Sequence, residues 1–340
     1  MFENFYGNER VAGALGRMIE RSRIPQTLLL AGPAGVGKAT LARRFAARLL
    51  GGADKIEADD LSLPENVERL EERVKWSSDQ RSEDPLLLAT HPDFLTFPPD
   101  GPLRQISIQQ MRLLKERAQY KPLRGGRRVF LIDQLDRAGE QAANSLLKTL
   151  EEPPEHLILV VTAGNAYDLL PTIRSRAVIL QLSPLAPAQM RAFVAARGLD
   201  HSGRRIALAA GSPGVANSLD LDEYDRRRTA MLALVEAACG AAPFSDWLPY
   251  SDAMSASRRD KLDDYLDVLY GLLADLLAIQ QTGGEIRNSD IREALEPLAK
   301  RISFDWLRSA VARVDELVWL LRRNIQKTIA LDALILDLRP

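Results

Sequence analysis

From Thr27 to Leu50 three kinds of sequence follow one another without a break. A short, wholly apolar run built on Leu28-Leu29-Leu30 enters the glycine cluster Gly32-Pro33-Ala34-Gly35-Val36-Gly37-Lys38, and Ala39 to Leu50 is then rich in Ala, Leu and Arg. Apolar runs of this length read as buried strands, and the last stretch consists of strong helix formers, so the order predicts strand, loop, helix. Three more apolar runs occur, at Arg128 to Asp133, Leu157 to Thr162 and Ala177 to Leu182. Helical stretches such as Glu140 to Leu150 lie between them. Continuous apolar strands alternating with helices predict an α/β fold with a parallel sheet covered on both faces.

The glycine cluster has the spacing of a phosphate-binding loop: Gly32, four residues, Gly37-Lys38. Gly32, Gly35 and Gly37 let backbone N–H groups curl round phosphate oxygens, the following helix points its positive end at the anion, and Lys38 reaches the outer phosphates. The next position normally carries a Ser or Thr hydroxyl for magnesium, and here it is Ala39. Thr40 comes one residue later, about 100 degrees round the helix. The run ending at Asp133 would supply the metal-side carboxylate, but Gln134 follows it, and an amide cannot take a proton from water near neutral pH. Nucleotide binding without turnover stays open, as does a loop retained only as a fold element.

Beyond the sheet the chain changes character twice. Residues 53–85 are polar and charged, with Glu65 to Lys75 reading as an exposed helix, and are expected to form an insertion. Pro184 and Pro187 mark a linker, and Ala188 to Gly211 reads as a small helical lid punctuated by Gly211, Pro213 and Gly214. From about Glu223 onward apolar residues recur at steps of three and four. Examples are Leu262, Tyr265, Leu266, Leu269, Leu272, Leu273 and Leu276, and later Leu307, Val311, Val314, Leu317, Val318 and Leu321. That period predicts a helical bundle with these stripes as its core, and apolar surface facing partner subunits as the alternative for part of them. The expected division is a sheet domain at 1–183, a lid at 184–221 and a bundle at 222–340.

Composition excludes several classes of function. The 45 basic and 46 acidic side chains leave a net charge of -1, so no global basic field marks a nucleic-acid binder. One cysteine, Cys239, rules out an internal disulfide framework and is expected to be a buried apolar residue. No run approaches a membrane span and the first residues lack the apolar core of a signal segment, which makes a cytoplasmic protein the expectation.

Further residues carry a specific resemblance. They are Phe2, Asn4 and Gly7; Arg23-Ile24-Pro25-Gln26; His91-Pro92-Asp93; Ile106-Ser107-Ile108 with Gln110-Met111-Arg112; Gly126-Arg127-Arg128-Val129; and, above all, the thirteen residues from Ala142 to Pro154, which include Ser145-Leu146-Leu147-Lys148-Thr149-Leu150-Glu151-Glu152-Pro153-Pro154. Together with the loop they resemble the bacterial gamma/tau and delta-prime family of AAA+ clamp-loader subunits of DNA polymerase III. The resemblance implies an AAA+ phosphate-loop sheet domain, a helical lid and an all-α collar. It implies a nucleotide-sensing position at Thr162, and an arginine finger at Arg176, because Ser175-Arg176-Ala177 is similar to the family's Ser-Arg-Cys motif. Such a finger touches the γ-phosphate of ATP held by the next subunit. Arg174 competes for the same role, and a salt bridge within the sheet domain is the alternative for Arg176.

Ala39, Gln134 and Val215, the last standing where gamma/tau lids carry a sensing arginine, point to the non-hydrolysing delta-prime branch. A gamma/tau-like ATPase that tolerates Ala39 is the alternative, and a purely structural DNA-binding module is a third reading. The resemblance further implies a pentameric ring with gamma/tau and delta subunits, acting on the beta sliding clamp and primed DNA as part of the DNA-directed DNA polymerase III holoenzyme. In that setting this chain would be a rigid stator. Lys121, Arg124, Arg127 and Arg128 would touch DNA phosphates or form a solvated face. Many relatives hold zinc through four cysteines in the region matching about Gly51 to His91. This chain has none there, and His91 alone cannot hold a structural zinc, so no metal is expected.

Overall fold

The computed structural model describes residues 2, 4–256, 262–281, 286–321 and 327–339. The chain divides into two compact units, Met1–Leu199 with Gly211–Asn217, and Asp200–Ala210 with Ser218–Pro340.

The first unit is built on a six-stranded sheet: β1 (Thr27–Ala31), β2 (Leu88–His91), β3 (Phe94–Phe97), β4 (Arg128–Ile132), β5 (Leu157–Ala163) and β6 (Val178–Gln181), in the order β2-β3-β4-β5-β1-β6. From β3 to β6 every pairing is parallel, with Leu29 opposite Val161 on one side and Ile179 on the other, and only β2 pairs antiparallel. The four apolar runs are therefore β1, β4, β5 and β6, as expected. Alternate side chains go to opposite faces. Leu29, Phe130, Leu159 and Val161 pack with the helices Ile108–Ala118 and Glu140–Glu151, while Leu28, Leu30, Leu131 and Val160 pack with Glu9–Glu20 and Lys38–Leu50. Two covered faces explain why these strands are continuously apolar, each fully buried Leu or Phe contributing about 1.5–3 kcal/mol.

Two features depart from the sequence reading. Strands β2 and β3 were not anticipated, and β6 lies at the sheet edge, where Val178 and Ile179 are 40% and 43% exposed.

Residues 53–85 fold as three helices, Ala53–Glu57, Pro64–Val74 and Ser78–Glu83. The second was anticipated as an exposed helix, yet Asn66, Leu70 and Arg73 on it are buried. Charge pairing holds the region in place. Buried Arg43 meets Glu57 at 3.1 Å and also pairs with Asp60, and buried Arg73 meets Asp100 at 2.7 Å while stacking over Trp76 at 4.4 Å.

The second unit is helical. Its main helices are Leu221–Ala238, Leu248–Ala256, Leu262–Gln281, Arg292–Arg301, Phe304–Leu321 and Lys327–Leu338. The stripe from Leu262 to Leu276 is buried throughout, packed with Met231, Trp247, Leu295, Val314 and Ile335, and Cys239 is buried in the same core. Of the later stripe, Leu307, Val314 and Leu317 are buried, whereas Val311 and Val318 are exposed. Asn324, Ile325 and Gln326 lie outside the described residues. Among the described residues no helix is long and apolar enough to cross a membrane.

Candidate functional site

Strand β1 delivers the chain into the glycine loop, and each loop glycine has a steric reason. Gly32 has φ +151°, and a Cβ on it would lie 2.4 Å from the Leu182 carbonyl oxygen. Gly35 and Gly37 have φ +74° and +94°, a region that costs a side-chain-bearing residue dearly. Gly37 precedes the helix Lys38–Leu50 and accepts from the Leu41 amide at 2.8 Å, so the helix start faces the loop. The Lys38 Nζ donates to the carbonyls of Gly32 at 2.6 Å and Pro33 at 2.8 Å. Burial pushes the Lys38 amine below the usual lysine range, and the nearby carboxylates of Asp133 and Asp136 offset part of that. Ala39 packs against the apolar core on this face, and Thr40 follows it in the helix, half-buried.

The ends of β4 and β5 are tied together beside the loop. Buried Thr162 donates its hydroxyl to Asp133 Oδ1 at 2.6 Å and accepts the Gln134 amide at 2.8 Å. Gln134 takes φ +57°, so this bridge holds a strained backbone in place. The structure thus brings Lys38, Asp133 and Thr162 together beside the loop. Asp136 and Arg104 were missed. Asp136 accepts from the Gly164 amide at 3.2 Å through Oδ2, and its buried Oδ1 has no partner among the described residues. Burial, reinforced by nearby Arg137, lowers the Arg104 pKa against the opposing pull of Asp133 and Asp100.

The loop is also covered from 179 residues downstream. The Gly214 amide donates to the Gly35 carbonyl at 2.8 Å, and a Cβ on Gly35 would stand 2.9 Å from both Cγ2 and the amide nitrogen of Val215. Phe5 lies against Gly37. Val215 entered the sequence reading only as a missing arginine. The signal for contact was the Pro213-Gly214 pair at a helix start, where the absence of a Cβ permits close backbone approach.

Arg176 follows the short helix Pro171–Arg174 and stands before β6, with its side chain 35% exposed. Its Nη2 donates to Glu151 Oε1 at 2.9 Å, and its Nη1 donates to the Thr172 carbonyl at 2.9 Å and to Ser175 Oγ at 3.3 Å. In this structure Arg176 therefore makes the salt bridge within its own domain. Arg174 instead stacks over the exposed ring of Tyr167 at 4.8 Å.

The basic run is not uniformly at the surface. Lys121 and Arg124 are exposed and Arg127 is half-buried, but Arg128 is buried, donating to the carbonyls of Arg117, Tyr120 and Pro92. It braces the start of β4 and presents no charge to a phosphate.

Two family models match the chain, "DNA polymerase III, delta subunit" over residues 7–186 and "DNA polymerase III, delta subunit, C terminal" over residues 223–339. The chain belongs to that family. Among full-length relatives, the DNA polymerase III subunit delta' of Pseudomonas aeruginosa is 27% identical over 93% of this chain and 92% of its own length. The delta' of Escherichia coli is 29% identical over 66% of each chain. The gamma/tau subunit of Mycobacterium tuberculosis is 32% identical over 57% of this chain, but the match covers only 30% of that longer protein.

Proposed function

We propose that this chain is the delta-prime subunit of a DNA polymerase III clamp loader, a stator that supplies Arg176 to ATP held by a neighbouring subunit and does not hydrolyse ATP itself. The layout in this reading is an AAA+ sheet domain at 1–183, a lid at 184–221 and a collar at 222–340. Its partners are gamma/tau and delta subunits in a pentamer, with the beta clamp and primed DNA reached through that assembly. Gly32, Gly35, Gly37, Lys38, Thr40 and Asp133 are a degenerate nucleotide site, with Thr162 a sensor only in position. Any ATP or ADP there is held without turnover.

The observation that carries this reading is the end of β4. Gln134 stands where a water-activating carboxylate is needed, and the Thr162 hydroxyl is committed to Asp133 and to the Gln134 amide. Ala39, packed against the apolar core, lacks the metal hydroxyl as well. A loader lacking these functions in one subunit still gains from that subunit's planar cation, since an arginine beside the transferring phosphoryl group stabilises its developing charge.

The test is ATP turnover by the reconstituted loader with the wild-type chain and with Arg176→Ala, alongside the chain alone. The chain alone is expected to be silent and the substitution to lower turnover by the assembly. Turnover by the chain alone that Lys38→Ala abolishes, with Arg176→Ala harmless, would establish the gamma/tau-like alternative.

A further inference from the structure

We infer that Glu151 is the positioning residue of Arg176, holding its guanidinium while leaving two of its N–H donors uncommitted; this rests on the proposed role of Arg176. A guanidinium has five N–H donors in one plane. Three are committed, to Glu151 Oε1, the Thr172 carbonyl and Ser175 Oγ, and the other two have no partner among the described residues. Two free donors suffice for the paired contact that arginine makes with phosphate oxygens. The contacts come from both ends of the side chain's surroundings. Thr172 and Ser175 belong to its own turn, while Glu151 reaches over from the end of the helix Glu140–Glu151.

Helix stability does not account for the carboxylate at that place. Glu151 is the last residue of its helix, where the macrodipole favours a cation and disfavours an anion. It is also 48% exposed, so core packing does not require it. What the carboxylate gains there is Arg176. A long arginine side chain loses substantial rotamer freedom on being fixed, and fixing it in the free chain removes that cost from the later encounter with phosphate. The pair borders an open groove of about 350 Å³, lined by Pro25, Gln26, Thr27, Ser175 and Ala177 as well as the pair itself, which leaves its outer side accessible.

The experiment compares reconstituted loaders carrying wild type, Glu151→Ala, Glu151→Gln, Arg176→Ala and the Glu151→Ala/Arg176→Ala double variant. Glu151→Ala is expected to lower kcat about threefold, the scale of an exposed charged pair, with KM for ATP unchanged because the nucleotide sits in the neighbour. Glu151→Gln, which keeps an acceptor oxygen at the same reach, should recover most of that loss. Glu151→Ala should add nothing when Arg176 is already absent. Glu151→Ala turnover equal to or above wild type, with Arg176→Ala slow, would overturn the positioning role alone; a rate above wild type would make the pair a restraint. A kcat loss that persists in the Arg176→Ala background would also overturn it, by showing that Glu151 acts elsewhere. An Arg176→Ala loader as fast as wild type would remove the finger itself and the inference with it.

Discussion

The backbone amide of Gly214 lies 2.8 Å from the carbonyl of Gly35, so the segment beginning at Pro213 rests directly on the glycine loop. A methyl group at Gly35 would meet Val215 at 2.9 Å while the backbone holds φ +74°. Gly35→Ala is therefore expected to cost about 2 kcal/mol through overpacking and backbone strain, read as a lower thermal midpoint. Gly203→Ala is the control: nothing lies within 4 Å of its Cβ position, and stability should hold or rise.

Asp59 offers a pH-dependent test. Its carboxylate is buried, Oδ1 accepts from the Thr90 amide at 3.2 Å, and Oδ2 has no partner among the described residues. Burial raises its pKa, against the opposing pull of the Thr90 bonds, Arg43 and Arg69. The folded protein thus binds this proton more tightly than the unfolded chain does. The stability it contributes is full below the ordinary carboxylate range and is lost as pH rises through the raised value. Asp59→Asn should stabilise the fold at neutral pH by about 1 kcal/mol and converge with wild type in acid, as denaturant unfolding across pH would show.

In the helical unit, buried Asn288 connects several groups. Its amide and side chain donate to Asp275 at 3.0 and 2.7 Å, and its Oδ1 accepts from Tyr224 at 2.8 Å and Arg228 at 3.2 Å. Removing it leaves buried partners unsatisfied, so Asn288→Ala should cost about 2–3 kcal/mol. Arg313→Ala, which breaks an exposed pair with Glu316, should change stability by less than about 0.5 kcal/mol in the same denaturation series.

Arg73 is the corresponding test of the 53–85 insertion. It donates to Asp100 at 2.7 to 3.1 Å and to the Asp84 carbonyl at 2.6 Å, with its side chain only 3% exposed. Arg73→Met would strand a buried carboxylate, at a cost of about 3 kcal/mol. Limited proteolysis should then cut within 53–85 before the sheet unfolds. Uniform cutting across the unit would show that the insertion has no stability of its own.

The sequence alone determined what depends on neighbours along the chain. Four strands declared themselves because burial on both faces demands unbroken apolar residues, and the glycine loop because its backbone angles exclude most side chains. The lack of a hydroxyl at position 39 and of a carboxylate at position 134 was equally legible, since Ala39 and Gln134 carry neither in any fold. Strand β2 was not legible because Leu88-Ala89-Thr90-His91 has no apolar run to announce it, and β3 because Phe94-Leu95-Thr96-Phe97 is interrupted by a Thr and closely flanked by Pro92 and Pro98. Tertiary structure decided the pairings. Gly214 on Gly35, Glu151 on Arg176, and the carbonyls of Pro92, Arg117 and Tyr120 that bury Arg128 are brought together by packing across 8 to 179 positions. A charge in a sequence shows what a side chain can bond; only the folded chain places an acceptor within 3 Å and decides whether water is excluded from the bond.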